Sequence, residues 1–381
     1  MRPATRWMAC AGVMALAAMP ACSKDSGTDA APAVDAGGGE GGTLAYDFKD
    51  LEAYLFAGKW KTEGAVVMRD GKVVYEKYAA GFDATKRHIT YSVSKSFGSA
   101  LVGIAVADGV LKLADSVCKY VPAPSGADPT YCDTTIEHLV QMRSGLKWAE
   151  EYESDPTTSN VLPMLYGDEP DMGEYVARLP RLAKAGEKWS YSSGDANLLA
   201  RALRSALAGK NMREWANEKL FKPAKLTSAI FEADRSGTLV FSSSAFLTPR
   251  DMALFGQLYL DGGMAGTTRV LSADWVKYTA TPAPPVTQPV PRTAGGGGSY
   301  GAAFWLNAAT PTAAVDTLEM PHAPVDMFSA EGHWGQSIHI LPSKKMIVVR
   351  VGNDRDPTFD RDPMIQAAVA AVDAATAGGG K

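Results

Sequence analysis

A serine and a lysine three residues apart, in Tyr91-Ser92-Val93-Ser94-Lys95-Ser96-Phe97, are the residues of this chain best placed to do chemistry. A β-rich run lies behind them. Ahead lies an apolar stretch, residues 98–109, that reads as a buried helix. Ser92 therefore falls where extended chain becomes helix, beside unpaired backbone N–H groups and a positive dipole end that favours a developing oxyanion. Lys95 shares a helical face with it. A serine hydroxyl becomes a strong nucleophile when a neighbouring base takes its proton, and a desolvated lysine can be that base. A serine N-cap followed by a solvated lysine would look the same, so Ser92 needs companions. Ser144-Gly145-Leu146-Lys147 repeats the spacing, but its glycine follows an apolar run, as at a helix C-terminus, and Ser144 starts no helix.

Two further stretches are candidate companions. Trp189-Ser190-Tyr191-Ser192-Ser193-Gly194-Asp195 precedes a helix, which leaves Tyr191 on a loop and free to point into a cleft. As a phenolate, or by sharing a proton with Lys95, it could relay protons between nucleophile and leaving group. Alone, it could equally be a buried tyrosine with a bonded hydroxyl. Near the C-terminus, Glu331-Gly332-His333-Trp334-Gly335-Gln336 leads into a strand, and its glycines would let a substrate approach the strand edge. The plain alternative is a tight turn with an exposed histidine.

The elements that must position these groups are legible in outline. Residues 44–56 have helical spacing. Residues 65–68 and 73–78 form a hairpin around Asp70-Gly71. Residues 114–226 read as mostly helical, with segments at 136–142, 172–179, 196–207 and 212–220. The acidic, aromatic loop 148–171 either borders a pocket or is solvated. A helix at 249–260 has Pro249 at its first position, and residues 282–298 form a Pro-rich, then poly-Gly excursion. Strands are expected at 300–306, 337–341 and 346–351, and a closing helix from Asp362-Pro363. The fold class is α+β: an antiparallel sheet from both chain ends flanked by helices, a mostly helical lobe, and a cleft between them.

Together these stretches resemble the serine β-lactamase/penicillin-binding-protein superfamily, most closely its class C-like branch, which holds esterases and aminohexanoate-dimer hydrolases. The likeness covers residues 45–375 and rests on Ser92/Lys95, Tyr191/Ser193 and His333/Gly335, with support from Leu139-Val140-Gln141-Met142-Arg143-Ser144-Gly145-Leu146 and from Ile340-Leu341-Pro342. It implies a β-lactamase/transpeptidase-like fold over residues 44–377 and an acyl-enzyme on Ser92. Lys95 and Tyr191 would share general-base and general-acid duty, Ser193 would join their hydrogen-bond network, and the N–H groups of Ser92 and Gln336 would hold the oxyanion. His333 stands where β-lactamases and peptidases usually carry lysine, which favours uncharged esters or amides over β-lactams. Trp334 and Trp305 could wall an apolar acyl pocket or belong to the core. The rival readings are a D-amino-acid peptidase or β-lactamase of the same fold, and a non-catalytic surface lipoprotein that binds a ligand.

Composition is consistent with this. Of 381 residues 46% are hydrophobic and 21% charged, which suits a globular chain with a large core. A net charge of −4 with no Lys/Arg run argues against nucleic acid as a partner. Arg2 and Arg6 precede an apolar segment, residues 7–19, ending at Met19-Pro20-Ala21-Cys22. Residues 1–21 thus read as a signal peptide. The ending resembles a bacterial lipobox with Cys22 as the lipidated residue, and an ordinary secretory signal is the alternative. The expectation is export to a bacterial periplasm or cell envelope, with membrane attachment through Cys22 and a flexible Ala/Gly/Asp-rich tether at 22–43. Cys118 and Cys132 are the only pair then remaining, a structural disulfide in an oxidising compartment or two free buried thiols. No histidine stands at ligand spacing to the cysteines, and nothing calls for a metal or cofactor.

Overall fold

The hairpin at Asp70-Gly71 sets one edge of the structure. Both residues have positive φ (48° and 75°), the turn that matches the twist of paired strands. It joins strands β1 (Thr62–Arg69) and β2 (Lys72–Tyr78). The computed structural model describes residues 45–152, 157–284, 299–308, 318–355 and 358–378. The signal segment with Cys22, the tether and residues 285–298 of the Pro/Gly excursion lie outside them.

Helix α1 (Lys49–Phe56) precedes the hairpin, and β3 (His88–Ile89) leads into the long α2 (Val93–Ala107). The helical lobe follows: α3 (Ile136–Val140), α4 (Val161–Tyr166), α5 (Met172–Ala177), α6 (Ser193–Ala206) and α7 (Met212–Ala216), which widens into a π turn over Asn217–Phe221. Then come β4 (Ile230–Phe231), β5 (Ala245–Leu247), α8 (Pro249–Leu260), the hairpin of β6 (Met264–Ala265) and β7 (Thr268–Arg269), and α9 (Ala273–Thr279). The chain closes with β8 (Ser299–Tyr300), β9 (Trp305–Leu306), β10 (Phe328–Gly332), β11 (Gln336–Leu341), β12 (Met346–Gly352) and α10 (Asp362–Gly378).

Both chain ends share one seven-stranded antiparallel sheet, in the order β2-β1-β12-β11-β10-β9-β8. Alternation along its strands feeds two cores. Val66, Ile338, Ile347 and Val349 face α2 and α8 on one side; Ala65, Val67, Met346 and Val348 face α1 and α10 on the other. Helix α2 is buried on every side through Ala105, and it lacks side chains at Gly98 and Gly103, where a Cβ would stand 2.5 Å from the rings of Phe241 and Trp275. Cys118 and Cys132 are bonded, their Cα atoms 5.2 Å apart.

Some boundaries differ from expectation for local reasons. Helix α1 starts only at Lys49, because the Asp47 carboxylate accepts the Lys49 N–H (3.1 Å) and Phe48 turns to meet the Tyr75 ring. Residues 300–306 form two short strands rather than one, with Ala303 at φ 62° in the bend.

One buried cation fixes the sheet against the cleft-side loop. Arg350 of β12 is fully buried; its Nη1 donates to the Gly335 carbonyl (3.1 Å), its Nη2 to Thr62 Oγ1 (2.9 Å) and to the Asp354 carboxylate. The guanidinium lies 3.8 Å from the Phe359 ring centroid. Burial pushes Arg350 down to about 10, with Asp354 opposing that fall. Arg350→Met would leave Asp354 buried without its cation, and should lower unfolding stability by about 3–5 kcal/mol. A second change, Asp354→Asn, should restore part of this in denaturant titrations; a loss under about 1 kcal/mol in the single variant would contradict the assignment.

Candidate active site

The chain enters the site through a strained residue. Tyr91 has φ 46°, a left-handed conformation that costs a tyrosine about 1–3 kcal/mol, and it bends β3 into α2. Ser92 then occupies the N-cap of α2, yet its side chain caps nothing. Its Oγ lies instead 3.0 Å from Lys95 Nζ. Lys95 is only 3% exposed, so the solvated-lysine alternative is excluded. Nζ donates further to Ser193 Oγ (3.0 Å) and to the Ser242 carbonyl (2.9 Å), giving three oxygens for three protons. Burial drives Lys95 down to about 8, while the Glu150 charge pulls the other way. At neutral pH this leaves more free amine than a solvated lysine would have.

Tyr191 comes to the same place by a different face. Lys95 Nζ lies 4.8 Å from its ring centroid, a cation–π contact, and the ring stacks on Trp305 at 5.4 Å. Burial, then the neighbouring Tyr300 and Glu150, raise its pKa well above that of an ordinary tyrosine; a hydrogen bond with Ser92 opposes this. These surroundings disfavour the phenolate and support the other alternative, a proton shared with Lys95.

Ser193 opens α6, behind the N-cap Ser192, whose side chain accepts the Asp195 N–H (2.9 Å). Besides the Lys95 proton, Ser193 deals with a group the sequence reading did not single out, Glu150. The Ser193 N–H donates to Glu150 Oε2 (2.9 Å), and the Ser193 hydroxyl donates to Oε1. Trp148 Nε1 and Tyr152 OH (2.7 Å) donate to the same carboxylate. Loop 148–152 thus borders the site instead of being solvated. Gly194 allows this, since a Cβ there would stand 2.8 Å from the Trp148 ring. The two aromatic residues flanking a pair of glutamates in Trp148-Ala149-Glu150-Glu151-Tyr152 were the available signal. The Ser242 carbonyl had none: a backbone oxygen leaves no trace in composition. Asn197 holds it, accepting the Ser242 N–H (3.1 Å) and donating to Ser242 Oγ (3.1 Å).

The stretch after β10 completes the wall. A Cβ on Gly332 would meet the Thr90 carbonyl at 2.3 Å and the Ser92 nitrogen at 3.3 Å, so this strand end lies directly on the start of α2. His333 packs among Tyr91 (5.8 Å), Tyr152 (5.4 Å) and Trp334 (4.9 Å). Gly335 at φ 89° is required, because a Cβ would fall 2.0 Å from Arg350 Nη1. The Gln336 side chain is engaged by the backbone of Gly352. Ser144 lies elsewhere in function: it is buried, and its Oγ donates to Asp195 (2.6 Å). Asp195 is raised to about 6 by burial, against the bonds from Ser144.

A serine with a buried lysine partner on this sheet-and-lobe frame defines a class, and comparison with known proteins agrees. The Beta-lactamase family model matches residues 52–373, and the chain belongs to that family of hydrolases. A 6-aminohexanoate-dimer hydrolase of Paenarthrobacter ureafaciens is 29% identical over 249 residues, 61% of this chain and 60% of that enzyme. Among solved structures, a family VIII carboxylesterase superposes with TM-score 0.66 at 16% identity, covering 87% of this chain and 99% of its own. An octameric penicillin-binding protein homologue of Pyrococcus abyssi gives 0.64 at 19%, covering 86% and 78%. At such identities these structures establish the fold alone.

The Lys95 environment has a direct readout. With ¹⁵N-labelled lysine, the Nζ signal lost in Lys95→Arg should titrate near pH 8 in the wild type. A midpoint near the ordinary lysine value, about 10.4, would contradict the site as described.

Proposed function

We propose that this chain is a serine hydrolase that cleaves a small, uncharged ester or amide through an acyl-enzyme on Ser92. The observation that carries the reading is the uncapped Ser92 hydroxyl 3.0 Å from an amine depressed by burial. Lys95, as free amine, takes the Ser92 proton while Oγ bonds to the substrate carbonyl carbon and the π pair moves to oxygen. The backbone N–H groups of Ser92 and Gln336 receive that oxyanion; Gly332, the register partner of Gln336, lies where an added Cβ would stand 3.3 Å from the Ser92 nitrogen, which supports their convergence. As the tetrahedral intermediate collapses and the bond to the leaving group breaks, Tyr191 beside Ser92 passes a proton to that group and regains one from the Lys95 ammonium. A water then attacks the acyl carbon, releases the acid and returns the proton to Ser92. Lys95 is favoured as first base because its shift moves toward working pH and that of Tyr191 moves away.

Uncharged substrates are favoured by the third stretch, where His333 packs among rings, and by the aromatic pair Tyr191 and Trp305. The names of the aminohexanoate-dimer hydrolase and the carboxylesterase lean the same way. One observation favours a second reading: the exposed Arg355 lies 4.1 Å from the Trp334 ring centroid, where a cation could hold the carboxylate of a β-lactam or a peptide end. For location, the reading is export with a lipid on Cys22, supported by the Arg2/Arg6 and apolar start and by the Cys118–Cys132 bond.

Intact mass tests these points. A fluorophosphonate should add once to wild type and to Ser144→Ala, and not to Ser92→Ala. Equal losses in both variants would sink the assignment of the nucleophile. A stable penicillin adduct on Ser92 would move the substrate toward the second reading. Protein isolated from cell membranes should begin at a lipid-bearing Cys22, and an unmodified N-terminus would remove the anchor.

A further inference from the structure

We propose that Glu150 is a positioning residue that fixes the direction of the Ser193 proton, so that the lone pair of Lys95 can face only Ser92. This rests on the reading of Lys95 as the base. The neutral amine has two N–H bonds and one lone pair, and three oxygens surround it at 2.9–3.0 Å. The Ser242 carbonyl can only accept, which uses one N–H. Ser193 is ambiguous by itself, since a hydroxyl can donate or accept. Were it to donate, it would occupy the lone pair and leave Lys95 unable to take the Ser92 proton.

Glu150 removes that ambiguity. Its Oε2 receives two donors that cannot reverse, the Ser193 backbone N–H (2.9 Å) and the Trp148 indole N–H. Its Oε1 receives Tyr152 OH (2.7 Å) and the Ser193 hydroxyl. Used as an acceptor on both oxygens, and seated at the N-terminus of the fourteen-residue α6, the carboxylate takes the single Ser193 proton. Ser193 can then only accept from Lys95, which uses the second N–H. The lone pair is left for Ser92. With four donors already engaged, Glu150 has no capacity to bind substrate itself, so its effect runs through Ser193.

Glu150→Gln inverts this arrangement at nearly constant shape. The amide must turn its C=O to the two fixed N–H donors, which places its NH₂ against Ser193 Oγ and Tyr152 OH. Ser193 then accepts from the amide and points its own proton at Lys95. The experiment is a double-mutant cycle on the full chain, read as the rate of Ser92 phosphonylation by a fluorophosphonate, with folding followed by circular dichroism. Glu150→Gln should slow phosphonylation on the order of 10- to 100-fold, less than the roughly 10²–10⁴-fold of a base lost outright, because the amine remains. In a Ser193→Ala background, where no hydroxyl remains to turn, the same change should cost less than about threefold. The pH midpoint of the reaction should also fall, because the Glu150 charge is what holds Lys95 up. Were Glu150→Gln not to fold, Glu150→Leu reads the same cycle, since its hydrocarbon side chain offers the Ser193 proton no acceptor. An equal loss in both backgrounds, or no loss, overturns the inference alone. No wild-type adduct at all overturns the serine-hydrolase reading and the inference with it.

Discussion

A lysine ammonium buried among neutral oxygens is the constraint on which the rest of this structure depends. Taking such a charge out of water is costly, and three hydrogen bonds from Nζ offset much of that cost. The remainder appears as a depressed pKa, the shift that the proposed role as a base requires. The three oxygens come from α2, from the start of α6 and from the chain just before β5. No one of these elements could build the site alone.

That requirement explains where the chain spends conformational strain and polar burial. Tyr91 accepts a left-handed backbone to bring Ser92 to the helix start without a capping role. Trp334 does the same on the facing strand end, and the Arg350 guanidinium ties the carbonyl of the following Gly335 to Thr62 and Asp354. The sheet is filled from both faces, so this strand end has a rigid base against the start of α2.

Much of this was legible in the sequence. Ser92 and Lys95 stand at helical spacing beside an apolar run, Asp70-Gly71 demands a hairpin, and Pro249 marks a helix start that the structure places at that residue. Two β-rich ends do pair in one antiparallel sheet. What escaped is tertiary by nature. Glu150 reaches the site only because Trp148 packs over Gly194, and the Ser242 carbonyl because Asn197 holds the N–H and hydroxyl of Ser242. Helices α4 and α9 and strand β10 were missed as well. The first two are a turn or two long, and Pro163 within α4 reads as a breaker. Which of the two protonation states Tyr191 takes was beyond the sequence for the same reason: burial and the groups packed around it, not its neighbours in sequence, hold its pKa up.

On the proposed mechanism the free amine of Lys95 activates Ser92. The measurement that reaches it most directly is the pH dependence of acylation of Ser92, followed as the pre-steady-state burst from an activated p-nitrophenyl ester. The account predicts a rate that rises with pH through a midpoint near 8, where burial places Lys95, and then levels off. A rate that is flat across that range, or that keeps rising toward the ordinary lysine value of about 10.4, would contradict it.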